Sequence, residues 1–178
     1  PRVLEHTVDT VMHFEGDRDG ALRLLRVIKH RFGATDRVGM FRMTKRGIES
    51  LDDPSGLLLA DRQAGVPGSA VVAVLEGHRP VLVEVQALVS PRPAGSGGFG
   101  TRTVTGLVPR RIDLILAVLA QRAQLDLSSA DVFVSVAGGL PVREPAADLA
   151  IAAAVVSSAT LRAVPGDVMM LGEVGLTG

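Results

Sequence analysis

The chain has 178 residues, 47% of them hydrophobic, with 19 basic side chains balanced by 19 acidic ones, so it is rich enough in apolar residues for an ordinary core and argues against disorder. The absence of Cys excludes a disulfide scaffold and a thiolate zinc site. With five Phe but no Trp or Tyr, there are few aromatic platforms for stacking single-strand bases, so any nucleic-acid contact is expected to be mainly to phosphate.

Along the chain, Val8, Thr10, Met12 and Phe14 alternate as a strand does. A turn at Glu15-Gly16-Asp17 and a second strand over 21–29 complete an antiparallel pair. Arg31-Phe32-Gly33 reads as a break. Residues 38–43 and 47–51 suggest a hairpin around Lys45-Arg46-Gly47. Between positions 18 and 46 there are nine basic residues against Asp19 and Asp36, which is either an anion-facing surface or a solvated strand face. A short helix over 54–60 with Pro at its first position and a linker at Gly65-Val66-Pro67-Gly68 follow.

From Ser69 the pattern restarts. Strands over 70–76 and 81–89 flank a turn at Gly77-His78-Arg79-Pro80, and Gly95-Ser96-Gly97-Gly98-Phe99-Gly100 reads as a mobile loop rather than a phosphate cradle, having no Lys and no following helix. Arg102 lies on a further strand. Ile112, Ile115, Leu116 and Leu119 predict an amphipathic helix over 111–124, 132–136 a buried strand, 144–160 an Ala-rich helix with Glu144 and Asp148 at its start, and 168–174 a closing strand. The order of elements predicts an α/β (α+β) fold with two helices on a mixed sheet.

No signal-peptide pattern is present, and the longest apolar run, 149–160, is too short to span a bilayer, so a soluble cytoplasmic protein is expected. The chain starts at Pro1 and ends at Gly178 in what looks like a strand entering a turn, so it reads as a piece of something longer. It contains no G-x-x-x-x-G-K-[ST] phosphate loop.

Lys29-His30-Arg31-Phe32-Gly33 resembles the Lys-Asn-Arg-Phe-Gly signature of the RadA/Sms family, with His in place of Asn. The stretch from Leu4-Glu5-His6 to Glu15-Gly16-Asp17 resembles that family's closing motor strands. Val136-Ala137-Gly138-Gly139 followed by Glu144-Pro145-Ala146-Ala147-Asp148-Leu149-Ala150 resembles the core of its Lon-like domain. The resemblance implies a β-rich tail of a RecA-like ATPase over 1–53, a linker over 54–67, and a Lon-protease-like domain of mixed sheet with two or more helices over 68–178. It further implies a full-length parent that is a DNA-dependent ATPase driving branch migration, uses ATP and Mg, carries zinc in a separate N-terminal module, forms hexamers, and meets single-stranded, duplex or branched DNA and a RecA-type recombinase. This stretch alone is expected to bind none of those cofactors.

Under that resemblance Lys29 and Arg31 are expected to stabilise the γ-phosphate of a neighbour's ATP. Two cations at i and i+2 of an extended segment point to one side. Phe32 is expected to plug a core edge rather than stack on a base, and Gly33 to permit the chain reversal. A Ser/Lys peptidase is rejected, because Ala146 stands where Lon-type peptidases carry the nucleophile and 68–178 contains no Lys. A Ser/His/Asp hydrolase built on His78 and a metal site built on His6, His13 or His30 lack the required spacing. Arg102, Arg110 and Arg111 are the candidates for phosphate contact. The competing readings are that Arg110 and Arg111 pair with acids such as Asp113 or with a neighbouring subunit, and that the Lon-like part is a scaffold without DNA contact.

Overall fold

The computed structural model describes residues 5–16, 22–93 and 98–178. The turn expected from Asp17, the start of the second strand at Ala21, and residues 94–97 of the expected loop lie outside them. The chain forms two compact units, one comprising Pro1–Leu57 with Leu75–Val81 and the other Leu58–Val74 with Leu82–Gly178.

The first unit is built on a four-stranded antiparallel meander, β1 (Thr10–Glu15), β2 (Leu22–His30), β3 (Val38–Thr44) and β4 (Gly47–Ser50), in sequence order. Register places Met12 opposite Val27, Phe14 opposite Leu25, Arg23 opposite Phe41 and Met43 opposite Ile48, so these side chains share one face. That face is apolar yet open: Met12, Phe14, Met43 and Ile48 are all exposed, and the Phe14 and Phe41 rings lie 6.2 Å apart. The opposite face buries Leu22, Leu24 and Met40. On it, Arg26 donates to Glu15 at 3.1 Å and to Glu76 at 2.5 Å. Burial opposes the charge on Arg26, but the hydrogen bonds and charges of Glu76 and then Glu15 outweigh it and raise its pKa. The short helix α1 (Pro54–Leu58) follows the meander.

A mixed sheet with strand order β5-β6-β8-β7, from β5 (Ser69–Glu76), β6 (Arg79–Pro91), β7 (Arg102–Thr105) and β8 (Ala130–Val136), belongs to the second unit except for Leu75–Val81, where β5 turns into β6. β6 pairs antiparallel and β7 parallel with β8. Along β6, Val81, Val83, Val85 and Ala87 are buried, as are Ala130, Val132, Val134 and Val136 along β8; this period-2 pattern gives the sheet one dry face. Helices α2 (Pro109–Arg122) and α3 (Asp148–Thr160) supply the other half of the core. α2 contributes Ile112, Ile115, Val118 and Leu119. α3 is apolar almost all round and buries Ala150, Ile151, Ala154 and Val155. The buried hydroxyls of α3 serve the sheet: Ser157 Oγ accepts from the Gly68 amide and Ser158 Oγ from the Val89 amide, each at 2.9 Å.

Two expectations need correction. α3 starts at Asp148 because Pro145–Ala147 forms a separate 3-10 turn. Residues 168–174 form no strand; a single parallel bridge joins Met169 to Val71. The backbone groups that would extend a ladder are used at the start of α3: the Gly172 amide donates to Ala146 O, the Leu149 amide to Gly172 O, and the Val174 amide to Asp148 Oδ2.

Candidate functional site

In the first unit, the end of β2 is offset from β1. The pairing shifts between Val11 and Met12, leaving Ile28 as an extra residue on β2, and a bulge of this kind re-aims the side chains beyond it. Lys29 and Arg31 then both address the segment before β1. Lys29 Nζ donates to the carbonyls of Glu5 (2.6 Å) and Val8 (2.9 Å), while the Arg31 amide bonds Asp9 O at 2.9 Å and its guanidinium reaches Asp9 Oδ1 at 3.3 Å. The Arg31 side chain is 70% exposed. Between them, His30 Nδ1 shares a 2.9 Å hydrogen bond with Thr10 Oγ1.

Phe32 does not plug a core edge, being 76% exposed with the Arg31 guanidinium 5.7 Å from its ring centre. The turn carries it past the last paired residues of β1 and β2. Gly33 is constrained by proximity rather than by a left-handed backbone: a Cβ there would lie 2.6 Å from the His30 ring.

In the second unit, the three arginines singled out in the sequence fare differently. Arg102, on β7, donates to the carbonyls of Ala130 (2.5 Å), Leu127 (2.7 Å) and Thr101 (3.2 Å), tying β7 to the loop that enters β8. Arg111, in the first turn of α2, makes a forked pair with Asp148: Nε donates to Oδ1 at 2.7 Å and Nη2 to Oδ2, with a further 3.0 Å bond to Glu173. Asp148 is fully buried. Its hydrogen bonds, then those of Glu173, push the Arg111 pKa up. Arg110 is exposed and has no ion pair among the described residues, and Asp113, the acid expected as a partner, is likewise unpaired. Sequence reasoning missed Asp148 as that partner. The available signal was an acid in the first turn of a strongly apolar helix that would bury it.

Arg110 and Arg143 flank a cleft of about 330 Å³ whose apolar lining includes Val108, Leu114, Val142 and Ile151. Ala146 sits in the 3-10 turn whose other residues, Pro145 and Ala147, line this cleft.

Sequence comparison fits this arrangement. The Lon protease (S16) C-terminal proteolytic domain family matches residues 117–178. Over all 178 residues the chain is 48% identical to the DNA repair protein RadA of Pseudomonas aeruginosa, 49% to that of Aquifex aeolicus and 48% to that of Mycolicibacterium smegmatis. The chain belongs to the RadA family. It spans 37–39% of the length of these relatives. The residues that the Lon-type family matches, 117–178, all lie in the second unit. No helix among the described residues is long and apolar enough to cross a membrane.

Proposed function

We propose that this chain is the part of a DNA-repair ATPase that presents Lys29 and Arg31 to nucleotide bound by a neighbouring subunit, and that its Lon-like region helps to build the ring in which such neighbours meet. The observation that carries the reading is the exposed Arg31-Phe32 turn. A bulged strand end aims two cations to one side, and the Arg31 guanidinium meets Asp9 through a long, solvent-exposed contact that an incoming triphosphate outcompetes. The open apolar face carrying Met12, Phe14, Met43 and Ile48 adds support, since such a face suits a sheet that belongs to a larger core, and the relatives are more than twice as long.

ATP and Mg in this reading are held by residues outside this stretch, which has no phosphate loop, and zinc belongs to a further module. Within this chain the Lys29 ammonium and Arg31 guanidinium supply charge toward the γ-phosphate, with Phe32 and Gly33 shaping the turn. The test uses the longer protein. Arg31→Ala subunits are expected to lose about three orders of magnitude in ATP turnover. They should regain part of it when mixed with subunits that carry Arg31 but cannot bind ATP. Failure of mixing to restore turnover would overturn action across the subunit boundary.

The Lon-like region has two candidate roles. Contact with single-stranded, duplex or branched DNA now rests chiefly on Arg110, with Arg102 and Arg111 tied into the fold. Those ties favour the second role, a non-enzymatic scaffold that assembles a hexamer or holds a protein partner such as a RecA-type recombinase, without DNA contact of its own. Anisotropy of labelled duplex across a salt series separates the two: a shallower salt slope for Arg110→Ala supports phosphate contact, and an unchanged slope supports the scaffold.

A further inference from the structure

The sheet of the second unit has one face that the helices leave open, and the pairing register orders it into two rows. Gln86, Ser135 and Thr105 align across β6, β8 and β7 in one row, and Leu88, Phe133 and Thr103 in the next. This face floors a cleft of about 420 Å³, within the size range of small-ligand sites.

At its wall stands Glu84, whose residue is only 3% exposed. One carboxylate oxygen accepts from Ser69 Oγ at 2.5 Å and the other from Gln86 Nε2 at 2.9 Å. No cation bonds Glu84 among the described residues. The Arg62 guanidinium donates to the Ser69 hydroxyl (3.3 Å) and to Gly166 O (2.8 Å) rather than to Glu84. Asp61 is the second carboxylate on the lining, and no Lys, Arg or His contributes to it.

A buried carboxylate with neutral donors alone is electrostatically unfinished, and several kcal/mol of desolvation make a cationic partner the natural complement. The rest of the lining says which kind. Phe133 is 39% exposed and Leu88 60%, so an aromatic ring and an aliphatic side chain lie open on the lining, and an aromatic ring attracts cations. A hard metal ion would call for several converging oxygen ligands, and no group of three His, Cys, Asp or Glu capable of holding one occurs among the described residues.

We infer that this cleft is a receptor for a guanidinium or ammonium group on an apolar stem: the charge seats against Glu84 beside the Thr103, Thr105 and Ser135 hydroxyls, and the stem lies on Phe133 and Leu88. Such a group comes either from a free organic cation or from an arginine side chain of a second copy of this chain. The inference stands apart from the nucleotide role given to Lys29 and Arg31.

The experiment titrates the 178-residue chain with agmatine, a guanidinium on a butyl amine, and with neutral butylurea, following backbone amide shifts by NMR. Agmatine is expected to shift residues around Glu84, Thr103 and Ser135 with low-millimolar affinity, and Glu84→Gln to weaken it by at least about tenfold. Butylurea is expected not to bind. Equal binding of the two probes, or no agmatine shift at concentrations on the order of 10 mM, overturns the proposal. That contrast holds in the wild-type chain even if Glu84→Gln fails to fold. Light scattering assigns the source. A self-associated chain dispersed by agmatine identifies the occupant as a neighbour's arginine, and a mass unaffected by agmatine while the shifts occur identifies a free cation.

Discussion

Each unit of the chain sets an arginine beside a carboxylate, and the two pairs have opposite characters. Arg31 meets Asp9 through one 3.3 Å contact between side chains that are 70% and 58% exposed. Arg111 grips Asp148 with both arms of its guanidinium, and the carboxylate is sealed from solvent and further fixed by the Val174 amide. Exposed single-contact pairs contribute little to stability, whereas a forked pair on a buried carboxylate fixes geometry and is costly to break from one side. The first unit thus keeps its cation available for an outside charge. The second uses its cation internally, joining the starts of α2 and α3 to the segment around Glu173.

The sharpest way to break this contrast is to remove the carboxylate in each pair. Asp148→Asn should lower the Tm of the second unit by roughly 5–15 °C in thermal unfolding followed by circular dichroism, because Arg111 loses its main partner and Val174 a charged acceptor. A fall no larger than that of a surface substitution would mean that the buried pair is not what joins the helix starts. Next in size comes Arg102→Ala. Its guanidinium holds three carbonyls at the entry to β8, so about 1–3 kcal/mol should be lost in urea unfolding. A negligible loss there would return Arg102 to the pool of cations available for phosphate.

These assignments also mark where the sequence was legible. Period-2 runs of Val and Ala in β6 and β8, and the helical spacing of Ile112, Ile115 and Leu119, reflect burial on a single face, which local pattern encodes directly. The nonexistent strand at 168–174 has the same apolar composition, but its amides and carbonyls found partners at the start of α3, a long-range competition that no window reveals. Likewise the basic dipeptide Arg110-Arg111 looks uniform in sequence. The helix turn exposes the first and brings the second to Asp148, 37 residues away. The bulge that aims Lys29 and Arg31 depends on the register between β1 and β2 and leaves no mark on either strand alone.

Asp126 lies between the two extremes: it is exposed, yet it accepts the Ser128 amide at 2.9 Å. That backbone hydrogen bond, followed by the Ser128 side chain, lowers its pKa below the ordinary carboxylate range. A carboxyl depressed on folding contributes stability above its unfolded pKa and loses it as pH falls through the folded one. Wild type should therefore exceed Asp126→Asn slightly in Tm at neutral pH, with the gap closing on acidification below the unfolded value. A gap that persists unchanged in acid would assign the effect to the turn geometry rather than to charge.

The smallest expected effect is the most informative for the motif. Arg31→Ala and Asp9→Asn should each leave urea-unfolding stability within about 0.5 kcal/mol of wild type, since both side chains are largely in water and the Arg31 amide keeps its bond to Asp9 O either way. A loss comparable to that of Asp148→Asn would make Arg31 a structural residue of the same kind as Arg111. Its effect on ATP turnover would then be explained by a damaged sheet end, without any charge presented to a neighbour. An unchanged fold combined with lost turnover leaves charge delivered from an exposed turn as the remaining physical route, because a guanidinium that stabilises nothing in its own chain has its consequence at the site it meets.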